Sequence, residues 1–163
     1  MRIIFIITIS ILLFFSCNKK EIDAKKISTA EDAAIAVYQE ALDSMNEADF
    51  FYASKKFSEA EGLLPQTEWA AKSSLMSSYC LYAINFYDEA VLNLERFIKI
   101  YPASEHIPYA HYLITISYYE QILDEKKDIK KLIFTKKAIE DFLKKYPNTD
   151  YAMDLKFKLD LVI

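Results

Sequence analysis

Four residues carry the side chains with the most obvious reactive or metal-binding chemistry: Cys17, Cys80, His106 and His111. Two Cys and two His are too few for a structural zinc set, and the histidines, five apart, do not share one face of a helix. Both are expected at the surface or rim, so neither a metal nor a cofactor is expected. Glu95, Glu120 and Glu140 have ordinary charged neighbours. Around them there is no glycine-rich phosphate loop and no recognisable Ser/His/Asp set, so no catalytic residue is assigned and an enzyme is not expected. Cys80 lies between Tyr79 and Leu81 in a helical stretch and reads as a small buried hydrophobe. Twelve tyrosines are left as the remaining chemistry, flat apolar rings with a hydrogen-bonding tip and little entropy to lose on binding.

The elements that position these rings follow from residues 87–102, YDEAVLNLERFIKIYP. Ala90, Leu94 and Phe97 fall on one helical face, Asp88 and Glu89 suit the first turn, and Pro102 ends the helix. Phe50, Ala53, Phe57, Ala60 and Pro65 match Tyr87, Ala90, Leu94, Phe97 and Pro102 at a constant shift of 37 residues. Phe142, Tyr146 and Pro147 repeat Phe97, Tyr101 and Pro102 at a shift of 45. Recurrence at fixed shifts implies stacked helix pairs. The fold class expected is therefore all-α, a tetratricopeptide-like superhelix of helix hairpins, with about three repeats and the first helix of a fourth in residues 29–163.

The other helices fall between these marks. Ser28 with Glu31 resembles a capping box, predicting a first helix over residues 30–47 with Ala34, Val37, Tyr38, Ala41, Leu42 and Met45 on its apolar face. Asp49 and Thr67 are candidate N-caps for helices over residues 50–64 and 68–83. Trp69-Ala70 matches Tyr109-Ala110, and Tyr79 matches Tyr119, at a shift of 40, predicting a fifth helix over residues 108–122. A charged insertion, residues 123–129, reads as a solvated loop. A sixth helix is predicted over residues 130–145, and a seventh from Thr149. The apolar residues near Ile163 look like an end that another protein covers, or one left by truncation.

In a stack of hairpins the first helix of each pair lines the inner, concave side. That places Tyr38, Leu42 and Met45 there from the first unit. Lys72, Leu75, Tyr79 and Tyr82 follow from the second, and Tyr112, Thr115, Tyr119 and Ile122 from the third. Together they form a candidate groove for an extended peptide with alternating aromatic groups, with no strand edge to pair with. The formal charge of −4 disfavours nucleic acid as a partner.

At the other end, residues 1–16 read as a signal peptide. Arg2 supplies the positive charge, and the apolar run of residues 3–15 is shorter than the ~20 residues that span a bilayer. Ser16-Cys17 followed by Asn18 resembles the lipobox of bacterial lipoproteins, with Phe14 where leucine is usual. That resemblance implies lipidation at Cys17, cleavage before it, and sorting to the outer membrane. Residues 17–28 are then the lipidated N-terminus and a tether. Several acyl chains anchor stably, at about 0.8 kcal/mol for each buried CH₂.

Lipobox, tether and repeats together resemble the BamD (ComL) family of the bacterial β-barrel assembly machinery. The strings SEAEGLLPQTEWAAKSSLMSSYCLY, YDEAVLNLERFIKIYP, YAHYLITISYYEQI and KAIEDFLKKYPNTDYAMDLKFKLDLV carry the likeness. The usual mid-helix glycine of the first helices is Ala41, Ser78 and Tyr118 here. The resemblance implies a lipid-anchored scaffold on the periplasmic face of the outer membrane. Its partners would be BamA, other barrel-assembly subunits and unfolded outer-membrane proteins. A tetratricopeptide lipoprotein that organises cell-wall or division proteins is the alternative, although residues 18–28 are too short for the coiled coil many of those carry. A helical-solenoid cell-wall lyase would need a separate catalytic module, for which no length remains.

Overall fold

The computed structural model describes residues 18–124 and 129–162. The signal peptide, Cys17, the middle of the charged insertion and Ile163 lie outside the described residues. Seven α-helices follow one another without a strand among the described residues: α1 (Asn18–Asn46), α2 (Phe50–Leu63), α3 (Glu68–Ala83), α4 (Tyr87–Ile100), α5 (Ile107–Asp124), α6 (Ile129–Lys145) and α7 (Asp150–Val162). None of those searched is long and apolar enough to cross a membrane.

The caps predicted at Asp49 and Thr67 are present. Asp49 accepts a hydrogen bond from the Tyr52 amide at 3.0 Å, and Thr67 accepts one from Ala70 at 3.1 Å. Thr149 accepts from Ala152 at the start of α7. The turns after α1 and α3 are copies. Ala48 and Asn85, 37 residues apart, both have φ near 65°. In each turn two amides bond back into the preceding helix, Ala48 to Met45 and Asp49 to Ser44, then Asn85 to Tyr82 and Phe86 to Leu81. This is the αL closure that glycine usually supplies, achieved without one.

One expectation is corrected. The chain is already helical at Asn18, so α1 starts well before the predicted residue 30 and Ser28 is interior to it, not its cap. Residues 18–29 contain neither Gly nor Pro and include four lysines, with Glu21 and Ala24, all good helix formers. Once α1 is nucleated by its packed half, extending it costs little. The insertion is also shorter than expected, since α5 runs to Asp124 and α6 begins at Ile129.

Each helix packs on the next, and beyond these neighbours α3 touches α5 and α5 touches α7. Contact of that kind between odd-numbered helices puts them on the inner side of the stack. The repeat is equally plain in the core. Ala53, Ala90 and Thr135 are equivalent and buried, as are Phe57, Leu94 and Ile139, and again Ala60, Phe97 and Phe142. Tyr118 departs from the pattern of small mid-helix residues. It is half-buried and meets Phe134 edge-on at 4.8 Å, while Ser117 is the small residue fully enclosed on α5.

Candidate functional site

The predicted groove residues divide by depth. Tyr38, Leu75, Thr115 and Tyr119 are buried, a correction to their placement on an open face. Tyr38 lies edge-on to Phe57 and Trp69, with centroids 5.1 and 5.4 Å away, so Trp69 roofs it. Leu75 and Tyr119 belong to the core shared by α3 to α7. Thr115 turns its hydroxyl back to the His111 carbonyl at 2.8 Å. These four support the inner face from beneath.

The face itself is formed by the half-buried set. Leu42 and Met45 border the core of α1 to α3. Tyr79, Tyr82, Tyr112 and Ile122 border the larger one. Lys72 is exposed, with its ammonium 5.6 Å from the Tyr38 ring centre and 5.9 Å from that of Trp69. Lys72 also lines a cleft of about 720 Å³ between the loops entering α3 and α5, with Ala71, Tyr101 and His106 on its walls.

Two further tyrosines complete the inner face. Tyr109 and Tyr151, on α5 and α7, pack with Tyr112 at centroid distances of 6.2 Å (Tyr109–Tyr112), 5.4 Å (Tyr109–Tyr151) and 4.8 Å (Tyr112–Tyr151). The Tyr112 hydroxyl donates to Asp154 at 2.9 Å, and Lys158 donates to the same carboxylate at 3.1 Å. Burial pushes Tyr82 and Tyr109 up to about 12, helped by Glu120 for Tyr82 and by the Tyr79, Tyr82 and Tyr151 phenols for Tyr109. Tyr112 is raised by burial and by its bond to Asp154. Tyr109, Tyr112 and Tyr151 thus form one ring cluster across α5 and α7, and Tyr79 and Tyr82 of α3 border the same core.

The sequence marks Tyr109-Ala110 as a repeat match, but the predicted face includes neither Tyr109 nor Tyr151. The signal was present: a first-turn aromatic precedes a buried alanine in α3, α5 and α7, as Trp69-Ala70, Tyr109-Ala110 and Tyr151-Ala152.

The histidines sit apart. His106 faces Glu105, and His111 meets the Lys145 ammonium at 2.9 Å and lies against Tyr146. Burial and then Lys145 lower the His111 pKa. Among the described residues that were searched, no group of His, Cys, Asp and Glu could hold a metal. Cys80 is fully buried, and burial raises its thiol to about 12, which keeps it protonated and unreactive. The inner face itself presents aromatic rings beside phenol, carboxylate and ammonium tips.

Comparison with known proteins agrees with this architecture. The family model described as the outer membrane lipoprotein YfiO matches residues 30–162. The outer membrane protein assembly factor BamD of Caulobacter vibrioides is 36% identical over 126 residues, covering 77% of this chain and 41% of the relative. BamD of Rickettsia prowazekii is 36% identical over 140 residues, covering 85% and 56%. BamD of Xylella fastidiosa is 25% identical over 155 residues, covering 89% and 52%. The chain spans about half the length of the curated relatives it matches.

Proposed function

The chain belongs to the YfiO family of outer membrane lipoproteins, and from that membership we propose that it is a non-enzymatic scaffold in outer-membrane protein assembly. Acyl chains on Cys17 hold it at the periplasmic face of the outer membrane. Its inner face receives unfolded outer-membrane proteins, and it docks to BamA and other barrel-assembly subunits.

The observation that carries this proposal is the aromatic cluster of Tyr79, Tyr82, Tyr109, Tyr112 and Tyr151 on three successive odd helices. An unfolded barrel strand offers aromatic side chains at alternate positions, about 7 Å apart in an extended chain. Rings spaced along a concave face suit that repeat, and the phenol tips offer partners to a backbone that has not yet found its sheet.

Titrating an aromatic-alternating peptide against the full chain tests the groove. Tyr79→Ala and Tyr112→Ala are the informative variants, because both side chains are half-buried. Each is expected to weaken binding roughly fivefold to tenfold, about 1–1.4 kcal/mol. Unchanged affinity in both, or no binding by the parent chain, would remove the groove. Mass measurement of the mature protein, with Cys17→Ser as control, tests the anchor.

A further inference from the structure

Helix α6 starts unlike its copies. At the 45-residue shift, Tyr87, Asp88 and Glu89 at the start of α4 correspond to Leu132, Ile133 and Phe134. Yet α4 begins at Tyr87, whereas α6 begins at Ile129, ahead of the equivalent Leu132. The helix therefore projects by almost one extra turn, roughly 4.5 Å. Where α4 carries acids, α6 carries exposed apolar side chains. Ile129 is 71% exposed, Ile133 64% and Phe134 54%, and Leu132 is exposed as well. Of these, Phe134 has one edge held against the Tyr118 ring.

Charge sets this helix end apart from the rest of the chain. Residues 129–139, IKKLIFTKKAI, hold four lysines and no acid, in a chain whose formal charge is −4. At 3.6 residues per turn, Lys130 and Lys137 fall beside Ile133 on the outward side, opposite the buried Thr135 and Ile139. Lys131 instead shares a cleft with Asp88 and Glu89 of α4, so the nearby acids lie on its side. The exposed apolar side chains run from Leu132 through Ile129 and Ile133 to Phe134, about 200° of the circumference at 100° per residue. One packed surface covers a stripe of roughly 100°. A partner helix would therefore leave half of these residues in water, whereas a fluid lipid interface closes around a helix end.

We propose that the projecting start of α6 is a contact site for an anionic lipid surface. Ile129, Ile133 and Phe134 enter the boundary between headgroups and acyl chains, and Lys130 and Lys137 meet the lipid phosphates. Apolar residues with a basic rim are the pattern such a surface selects. This contact goes beyond the proposed anchor at Cys17. Acyl chains on one residue leave the domain free to swivel, and a second contact on α6 fixes how it lies on the bilayer.

A fluorescent label on Ile133→Cys in the full chain, with Cys17→Ser, reads the contact without any acyl group. Cys80 is fully buried and does not compete for the label. With vesicles of phosphatidylcholine and phosphatidylglycerol, a spin-labelled lipid should quench the emission roughly twofold or more. Quenching should be lost in phosphatidylcholine alone and in the Lys130→Glu, Lys137→Glu variant. Both lysines are exposed, so that variant keeps its helical circular dichroism. A label on Leu92→Cys, 64% exposed on α4, should stay unquenched. No quenching at Ile133→Cys would overturn the site and leave an acidic polypeptide as the occupant. Equal quenching in phosphatidylcholine alone, in the lysine variant or at Leu92→Cys would also overturn it, as unspecific adsorption. Peptide binding in the groove and the mass of the mature protein are read separately, so this site and the proposed function fail independently.

Discussion

Helices α1 and α2 with one side of α3 enclose Tyr38, Ala41, Ala53, Phe57, Ala60 and Cys80, whereas α3 to α7 enclose a larger cluster around Leu94, Phe97, Leu113, Ile139, Phe142 and Leu155. α2 and α3 meet along a seam of serines, buried except for Ser58. Ser77 bonds Ser54 and Ser58 at 3.1 and 2.9 Å, and Ser78 bonds back to the Ser74 carbonyl. At its end Arg96 grips Glu61 with two nitrogens, one at 2.9 Å, and also reaches Ser74 at 3.0 Å, while the Tyr101 hydroxyl donates to Glu61 at 2.9 Å. Small side chains let α2 and α3 approach closely and leave no room for a groove. Across α3, α5 and α7 half-buried tyrosines line the inner face instead. The same repeat thus yields a hydrogen-bonded clasp in one half and an aromatic face in the other.

If the larger cluster supplies most of the stability, Phe97→Ala should be the most damaging single change. Phe97 is fully buried at the junction of α4 with α3 and α5, and its loss should cost about 3–5 kcal/mol. Denaturant unfolding measures this directly, and a shift below about 1 kcal/mol would contradict the helix-pair register. Arg96→Met tests the clasp. Glu61 is buried while the Arg96 side chain is 44% exposed, so the cost should be about 2 kcal/mol, less than for a wholly enclosed pair. Glu61→Gln should recover part of that loss in the double variant, since it removes the stranded charge. No recovery would show that the pair is only incidental to the seam.

A smaller effect separates the halves by pH. Tyr82 and Tyr109 hold their protons to about 12 in the folded chain, mainly through burial. Unfolded phenols release theirs near 10. Between those values the folded state binds more protons, so the contribution of these two tyrosines to stability is fully present below about pH 10 and is lost as pH rises from about 10 to 12. Melting temperatures at pH 9 and 11 should show the drop, and Tyr82→Phe should reduce it. A drop of the same size in Tyr82→Phe would mean that other groups carry it.

The helical plan was readable because its signals are local. Thr67 and Asp49 cap where a small oxygen side chain precedes a periodic run, and Pro65 and Pro102 lie just beyond helix ends. The depth of each ring was not readable. Tyr38 and Tyr79 look alike in a 3.6-residue pattern, yet Trp69 leans over one and leaves the other half-open. Periodicity gives direction around a helix, whereas depth depends on what the neighbouring helix places opposite. Glu61 likewise reads as a surface acid, because Arg96, 35 residues away, is a partner that no spacing rule predicts. The helical start of α1 was missed because charged residues without an apolar stripe carry no face, although they have good helix propensity.

The smallest expected effect comes from the two copied turns. Ala48 and Asn85 close them with φ values of 63° and 65° and the same pair of backward amide bonds. A left-handed conformation strains alanine through its Cβ, while asparagine tolerates it better. Ala48→Gly relieves that strain but adds freedom to the unfolded chain, so the net gain should be about 0.5 kcal/mol. For a domain of this size that is roughly 1–2 °C in melting temperature. Asn85→Gly should gain nothing, because it also removes the side-chain oxygen that accepts the Tyr87 hydroxyl at 2.7 Å. Equal gains in both would mean that the side chain at Asn85 is idle, and that the turn into the aromatic half is held no differently from the turn into the serine-seamed half.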